Sequence, residues 1–129
     1  MKKLSRSKLI KKLDKIFSIY IRTRYAKNNI AQCFTCGKKD DYKRLQCGHF
    51  QPRRFYSTRW NELNCQVQCA GCNVFKYGEQ FIFSKNLDIK YGIGTAENLY
   101  IEAHKTVKYS TSDIQDLITN YEMLIKQQI

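Results

Sequence analysis

The sequence predicts an α+β protein whose core is fastened by a bound metal ion. Two short cysteine pairs, Cys33-Phe34-Thr35-Cys36 and Cys69-Ala70-Gly71-Cys72, are separated by segments suited to short strands, and apolar residues recur at helical spacing on both sides. Each Cys-x2-Cys turn presents two thiolates, and two such turns complete a tetrahedral zinc site. Four sulfurs leave no open position for chemistry, so we expect a structural zinc on Cys33, Cys36, Cys69 and Cys72.

Length and cysteine usage limit the class of protein. A chain of 129 residues is about the size of one domain. We expect a single domain, 1–129, with a basic amphipathic helix in 1–30, the zinc-bound core in 31–78 and a helical tail in 79–129. The first residues lack the apolar run of a signal peptide, and no stretch approaches about 18 apolar residues. We therefore expect a cytoplasmic protein in which cysteines bind metal rather than form disulfides.

The net charge of +12 is concentrated in the first half of the chain. Residues 1–59 contain 17 Lys and Arg against 3 Asp and Glu, whereas residues 60–129 contain 6 against 8. Such asymmetry indicates a polyanion partner, most simply nucleic acid, although a basic face without a partner is the alternative. The candidate DNA contacts are Arg53, Arg54 and Arg59 in a loop and Lys11, Lys12 and Lys15 in a helix. The aromatic residues of the loop that could stack on exposed bases are Phe55, Tyr56 and Trp60.

Two helical stripes flank the core. Apolar residues from Leu9 to Tyr25 lie on one face of a predicted basic helix, which Asn28-Asn29 should end. Instead of contacting nucleic acid or only packing on the core, this basic helix could lie on a membrane surface. In the tail, a capping box of Ser112 and Gln115 should open the last helix. Its apolar stripe is Ile114, Leu117, Ile118, Tyr121, Leu124 and Ile125. The other predicted tail boundaries are a helix end at Gly92 and a helix cap at Thr95.

The predicted core alternates strands with tight turns. Lys43–Phe50 and Asn64–Gln68 have the composition of strands, and Gln51–Trp60 between them is a basic loop. Gly37 suits the positive φ that ends a zinc-binding turn, and a short helix after the second cysteine pair should stop at Gly78.

His49 is the candidate for chemistry in this region. It ends a predicted strand and precedes the arginine-rich loop, where a bound phosphate would meet it. Hydrolysis of a phosphodiester needs a base that activates water and a divalent cation that neutralises charge on the phosphate and the departing 3′ oxygen. Considered alone, His49 is more simply explained as a zinc ligand or a surface residue, and only its neighbours favour a catalytic role. Cys47 and Cys65 stay outside the zinc set, because a single cysteine lacks chelating geometry and usually fills a small apolar site.

The order of these residues resembles the H-N-H endonuclease pattern. Cys33-x2-Cys36 is followed by Gly48-His49-Phe50, by Asn64 and by Cys69-x2-Cys72-Asn73, an H-N-N form of that pattern. The resemblance implies a ββα-metal core on a treble-clef zinc support. It also implies that His49 is the general base, that Asn64 orients the histidine and braces its loop, and that Asn73 binds the catalytic cation, Mg²⁺ or Mn²⁺.

The likeness extends from about residue 8 to residue 100. Its segments include Leu13-Asp14-Lys15-Ile16-Phe17-Ser18, Tyr20-Ile21-Arg22, Cys33-Phe34-Thr35-Cys36-Gly37, Arg59-Trp60-Asn61-Glu62-Leu63-Asn64 and Gln68-Cys69. Together they are similar to the NinG (Rap) recombination endonucleases of lambdoid phages. That family implies cutting of branched DNA such as D-loops and Holliday junctions in a bacterial host cell, with other phage recombination proteins as possible partners. A homodimer would suit a reaction that needs two cuts.

One departure from the family pattern concerns the cation site. Many H-N-H enzymes have an Asp immediately before the histidine, whereas this chain has Gly48. Asn73 with waters and phosphate oxygens can hold Mg²⁺, which needs few protein ligands. Alternatively, His49 itself binds a softer ion. The other carboxylates that could reach the site are Asp40, Asp41 and Glu62. The departure favours the alternative function, a non-catalytic zinc-containing nucleic-acid-binding module.

Overall fold

The computed structural model describes residues 3–128, and this range contains five α-helices and two antiparallel two-stranded sheets. The helices are α1 (Arg6–Thr23), α2 (Tyr56–Arg59), α3 (Gln80–Tyr91), α4 (Thr95–Ala103) and α5 (Thr111–Gln128). The strands are β1 (Ile30–Gln32), β2 (Lys39–Asp41), β3 (Gln46–His49) and β4 (Cys65–Gln68). The predicted α+β class is confirmed. The single domain 1–129 stays a prediction, and its positions 1, 2 and 129 lie outside the described residues.

Helix α1 begins and ends earlier in the chain than the predicted stripe from Leu9 to Tyr25. Ser5 caps its N terminus through its hydroxyl, and the helix ends at Thr23 rather than at Tyr25. Asn28 and Asn29 do not end the helix; they have positive φ angles of 51° and 66° and form the turn before β1. Asparagine adopts this left-handed conformation more readily than most residues, which explains the pair at this turn.

Helices α1 and α5 pack against each other through their predicted apolar stripes. The buried residues of this contact are Leu9, Leu13, Phe17 and Ile21 from α1 and Ile114, Ile118 and Tyr121 from α5. The rings of Phe17 and Tyr121 meet edge to face with their centroids 4.9 Å apart, a geometry that aromatic pairs favour. The contact forms a core of large side chains beside the hairpins.

Helix α5 is capped earlier than predicted. The Ser110 N–H donates to the Asp113 carboxylate at 2.8 Å, and the Asp113 N–H donates to the Ser110 hydroxyl at 3.0 Å. The capping box is therefore Ser110 with Asp113, and the prediction of Ser112 with Gln115 is wrong.

The hairpin of β3 and β4 lies at the centre of the predicted core. Gln46 pairs with Gln68 and His49 pairs with Cys65 in antiparallel register. Because successive side chains of a strand point to opposite faces, one face of this hairpin carries Cys47, His49, Cys65 and Val67. Residues 42–44 form a 3-10 turn, so β3 is shorter than the predicted strand. The second hairpin, β1 with β2, encloses the first cysteine pair, and Gly37 has the expected positive φ, 80°.

The segments around this hairpin differ in detail from prediction. The basic loop contains the short helix α2, and the predicted helix before Gly78 is one π-helical turn, Gly71–Phe75. Helix α3 ends before Gly92 as predicted, whereas the Thr95 hydroxyl donates to the Gly92 carbonyl at 2.7 Å instead of capping α4. Within residues 3–128, no helix has both the length and the apolar composition needed to cross a membrane.

Candidate functional site

The cysteines of the two Cys-x2-Cys pairs lie together, as the sequence predicts. The Sγ atoms of Cys33, Cys36, Cys69 and Cys72, the four-cysteine group, are all within 4.8 Å of one another, and none of them forms a disulfide. The Cys36 and Cys69 sulfurs are 3.7 Å apart. Two sulfurs of a tetrahedral site with Zn–S bonds of about 2.3 Å would be about 3.8 Å apart. The group can therefore hold a zinc ion with little movement.

The thiols of the four-cysteine group differ in how readily they lose their protons. Burial acts to raise the pKa of Cys33, but hydrogen bonds from the Thr35 hydroxyl and from backbone N–H groups outweigh it and lower that pKa to about 6. Burial, helped by hydrogen bonds with the neighbouring thiols, raises the pKa of Cys72 to about 12. Four thiolates this close repel one another, and Zn²⁺ stabilises all four at once.

The second cysteine turn positions Asn73. The Cys72 N–H donates to the Cys69 sulfur at 3.4 Å, and the Asn73 N–H donates to the Cys69 carbonyl at 2.9 Å. The side-chain Nδ2 of Asn73 donates to Gln46 Oε1 at 2.7 Å. Its Oδ1 receives no hydrogen bond from residues 3–128 and is left as a possible cation ligand. A carbonyl-type oxygen is a ligand that Mg²⁺ accepts.

His49 ends β3 with its ring held in one orientation. Its Nε2 lies 3.0 Å from the backbone carbonyl of Arg59. A carbonyl only accepts, so Nε2 must carry the proton, and in the neutral ring Nδ1 holds the free lone pair. Burial lowers the pKa of His49 below its usual value of 6.5, and the positive charges of Arg53 and Arg59 lower it further against the opposing effects of the Arg59 carbonyl and Asp14. The ring is therefore neutral, with Nδ1 available as a base.

His49 and Asn73 line the same cavity, which has a volume of about 320 Å³. Asp14 of α1, Gln46 of β3 and Arg53 of the loop form other parts of its wall. The structure therefore brings a neutral imidazole, an amide oxygen, a carboxylate and a guanidinium around one space large enough for a phosphate group.

Asn64 is buried and bonded to the loop that follows His49. Its Oδ1 accepts from the Gln51 N–H at 2.7 Å, and its Nδ2 donates to the carbonyls of Gln51 and Thr58, each at 3.0 Å. It makes no hydrogen bond to the His49 ring, whose described partner is the Arg59 carbonyl. Asn64 therefore joins Gln51 and Thr58 and fixes the conformation of the loop between them.

The predicted DNA contacts fall into two groups. Arg53, Arg54 and the three lysines of α1 are exposed. In contrast, the Arg59 guanidinium forms a two-point contact with the Asp14 carboxylate at 2.6 and 3.1 Å, and the Trp60 indole N–H donates to the same carboxylate at 2.9 Å. Arg59 is thus engaged within the protein, and Trp60, 6% exposed, belongs to the core.

Gly48, which precedes His49, lies against the buried side chain of Gln68. A Cβ atom on Gly48 would lie 1.8 Å from the side-chain oxygen of Gln68. Gln68 is buried and donates to the Thr35 hydroxyl and the Gly78 carbonyl, so a side chain at position 48 would have to displace it. The carboxylates considered from the sequence are used elsewhere: Asp40 accepts from Arg44, Asp41 from the Lys43 N–H, and Glu62 from the hydroxyls of Tyr20 and Tyr121.

Asp14 is the carboxylate that lines the cavity, and sequence reasoning missed it. The signal was present: Asp14 is the one acidic residue among the many basic ones of α1, and it follows Leu13 on the edge of the apolar stripe.

A second group of possible ligands surrounds His49. One ligand atom each from Cys47, His49 and Cys65 lies within 4.8 Å of the other two. Cys65 is completely buried and Cys47 is half-buried. Neither cysteine belongs to the four-cysteine group.

The fold and these clusters define a small α+β protein with a four-cysteine group that can hold zinc beside a cavity lined by His49 and Asn73. Residues 1–128 match the family described as the bacteriophage lambda NinG protein. The chain therefore belongs to the NinG family of phage proteins, which confirms the family resemblance seen in the sequence. No curated protein and no solved structure matches the chain.

Proposed function

We propose that this protein is a metal-dependent DNA endonuclease that cuts branched recombination intermediates, with an H-N-H site on a treble-clef, ββα-metal core. The observation that carries the proposal is the cavity shared by His49 and Asn73, in which one ring nitrogen and one amide oxygen are both left available. Membership of the NinG family is consistent with a role in phage recombination.

The geometry suggests the part that each residue plays. His49 Nδ1 takes a proton from the attacking water, and the nearby Asp14 carboxylate favours the imidazolium that results. Asn73 Oδ1 holds the cation, with Gln46 fixing the amide. When bound, Mg²⁺ or Mn²⁺ neutralises charge on the phosphate and on the departing 3′ oxygen. Asn64 keeps the loop, and therefore Arg53, beside the scissile phosphate.

Charge and exposed aromatic rings support DNA as the partner. Arg53 lines the cavity, and it, Arg54 and the lysines of α1 are exposed, so all can contact phosphates of a bound strand. Phe75 and Tyr77, 79% and 89% exposed, follow Asn73 closely in the chain, and Tyr77 lines a second cavity with His49 and Asn73. Exposed rings at this position suit stacking on bases that a branched form exposes, such as those of the displaced strand of a D-loop.

The alternative is a zinc-containing module that binds nucleic acid without cutting it. The clash of a side chain at Gly48 with Gln68 favours this alternative, because it disfavours a carboxylate at a position that many H-N-H enzymes use to bind the cation. The two functions share the zinc and the basic surface and differ in chemistry.

Cleavage of labelled four-way junction, D-loop and linear duplex DNA separates them. The wild type should cut the branched forms with Mg²⁺ or Mn²⁺ and should not cut when the cation is omitted. His49→Ala should lose about 10²–10⁴-fold in rate while it keeps its affinity for the junction. The matched control is His104→Ala, which changes the other, exposed histidine and should cut as the wild type does. Tight binding by the wild type without cutting under either cation would establish the binding module instead.

A further inference from the structure

Cys47, His49 and Cys65 are brought together by the register of the β3–β4 hairpin. His49 lies directly opposite Cys65, and Cys47 lies opposite Val67, so all three side chains project from one face. Two sulfur atoms and one ring nitrogen lie within 4.8 Å of one another. The carbonyl of Arg59 lies 3.0 Å from His49 Nε2 and 3.5 Å from the Cys65 sulfur, so both groups face the same point.

A metal ion explains this grouping better than a disulfide does. Cys47 and Cys65 are diagonal neighbours on adjacent strands, whose Cα atoms are about 7–8 Å apart in antiparallel sheets. A disulfide needs Cα atoms about 4.4–6.8 Å apart. A zinc ion, with bonds of about 2.0–2.3 Å to nitrogen and sulfur, spans the longer separation without moving the strands.

The charge of the ligand set selects the kind of ion. Two thiolates and one neutral imidazole balance a divalent cation, so the complex carries no net charge and can lie in a half-buried position at low cost. Thiolate and imidazole together favour zinc and similar softer ions over Mg²⁺ or Mn²⁺. Three protein ligands would leave a fourth position free, and two of the three, Cys47 and His49, line the cavity from which a further ligand could enter.

Metal binding here and the proposed base catalysis exclude each other. A neutral imidazole has one nitrogen lone pair, and a metal that occupies it leaves none for a proton. If the metal takes Nδ1, the base itself is occupied. If it takes Nε2, that nitrogen gives up its proton, and the neutral ring must then carry its proton on Nδ1. Two thiol protons are released to solvent when the site fills.

We propose that Cys47, His49 and Cys65 form a second, open metal site that takes a zinc-class ion and switches off cleavage by engaging His49. The metal site itself stands on the hairpin geometry alone, whereas the switch rests on the proposed endonuclease function.

The site is tested by adding Co²⁺ to the protein as purified, with zinc in the four-cysteine group. A second equivalent of metal should bind and give a thiolate-to-cobalt absorption band. Cys47→Ser and Cys65→Ala should each weaken or abolish the band and keep the first equivalent of zinc, which reports that the fold persists. The matched control is Ser18→Ala, which changes another residue of the same cavity but no ligand. A wild type that binds no second equivalent would overturn the proposal, whether or not the protein cuts DNA.

The switch is tested by the ratio of cleavage rates without and with added Zn²⁺ at constant Mg²⁺. At free Zn²⁺ about ten times its Kd, the fraction of protein with a free His49, and hence the rate, should fall about tenfold. In Cys47→Ser the ratio should approach one at the same zinc concentration. Equal inhibition of wild type and variant would show that zinc acts elsewhere and would overturn the switch. A wild type that never cuts, yet binds a second equivalent, would overturn the endonuclease and its switch and leave the metal site established.

Discussion

The α1–α5 helix pair and the hairpins around the four-cysteine group are stabilised by different interactions. The helix pair buries large side chains such as Leu13, Phe17 and Ile114, which are almost fully excluded from solvent. The hairpin core has six buried residues, and half of them are cysteines of the four-cysteine group. Small side chains bury little apolar surface, so the hydrophobic effect can hold the helix pair, whereas we expect the hairpins to depend on a metal bound by the four-cysteine group.

The candidate active site lies where these two regions meet. Asp14 comes from the helix pair, His49 from β3, and Asn73 from the turn that directly follows a cysteine of the four-cysteine group. The Asp14–Arg59 ion pair joins α1 to the residue whose carbonyl holds the His49 ring. The proposed cleavage should therefore be sensitive to substitutions in either region, while the free energy of unfolding should respond differently in each.

Loss of the structural zinc should have the largest effect. Cys69→Ser removes a buried ligand, and structural zinc contributes about 10–16 kcal/mol of binding free energy in small domains, comparable to the whole stability of a typical protein. Hydrogen exchange should show β3 and β4 unprotected while part of α1 and α5 remains protected. Cys47→Ser, outside the four-cysteine group, should keep the zinc and this protection. Persistent protection of β3 and β4 in zinc-free Cys69→Ser would mean that the hairpins do not depend on the metal.

Truncating a large buried side chain of the helix pair should destabilise the protein without changing its zinc content. Phe17→Ala leaves a cavity against Tyr121 and should lower the free energy of unfolding by about 3–5 kcal/mol. Zinc content should stay at one equivalent, held by the four-cysteine group. Met123→Ala on the exposed side of α5 is the control and should change stability by no more than about 0.5 kcal/mol. Denaturant unfolding with a zinc assay checks both, and a loss of zinc in Phe17→Ala would mean that the two regions are not independent.

Removing the Asn64 side chain, which fixes the loop after His49, should lower the free energy of unfolding by less than the two changes above. Asn64→Ala leaves the N–H and the carbonyl of Gln51 without this partner, whereas the Thr58 carbonyl keeps the Asn61 N–H as a donor. Both Gln51 groups are only partly buried, so the loss of stability should be about 1–3 kcal/mol. Junction cleavage should fall more than junction binding, because the loop carries Arg53 and the carbonyl that orients His49. Asn120→Ala, on the exposed face of α5, is the control. An Asn64→Ala protein with unchanged stability would show that the loop is held by other contacts.

Local patterns in the sequence predicted a large part of this structure. The Cys-x2-Cys spacing fixes two sulfurs on one turn, and the helical stripes of α1 and α5 follow from a period of 3.6 residues. The cap of α5 was misplaced because Ser110, Thr111 and Ser112 are all capable caps. Ser110, the observed cap, directly follows Tyr109, whose ring packs edge-on against Trp60 with the ring centroids 5.2 Å apart.

The features that the sequence did not predict depend on pairing between distant segments. Cys65 lies beside His49 only because of the β3–β4 register, and a shift of one residue would turn it to the opposite face. Asp14 reaches the cavity only because α1 packs across β3, and Gly48 is required only because Gln68 occupies the space next to it. No local spacing contains this information.

The exposed lysines of α1 should have the smallest effect on stability and a specific effect on binding. Replacing Lys11, Lys12 and Lys15 together by Gln should leave the free energy of unfolding within about 0.5 kcal/mol of wild type, since all three are exposed. If each contacts a phosphate, the slope of log affinity for the junction against log salt should become shallower by about 2–3. The control replaces three exposed lysines of the second half, Lys85, Lys108 and Lys126, by Gln, which changes the net charge equally. An equal change of slope in both triple variants would mean that DNA responds to total charge, and that α1 does not form part of a defined path to the cavity.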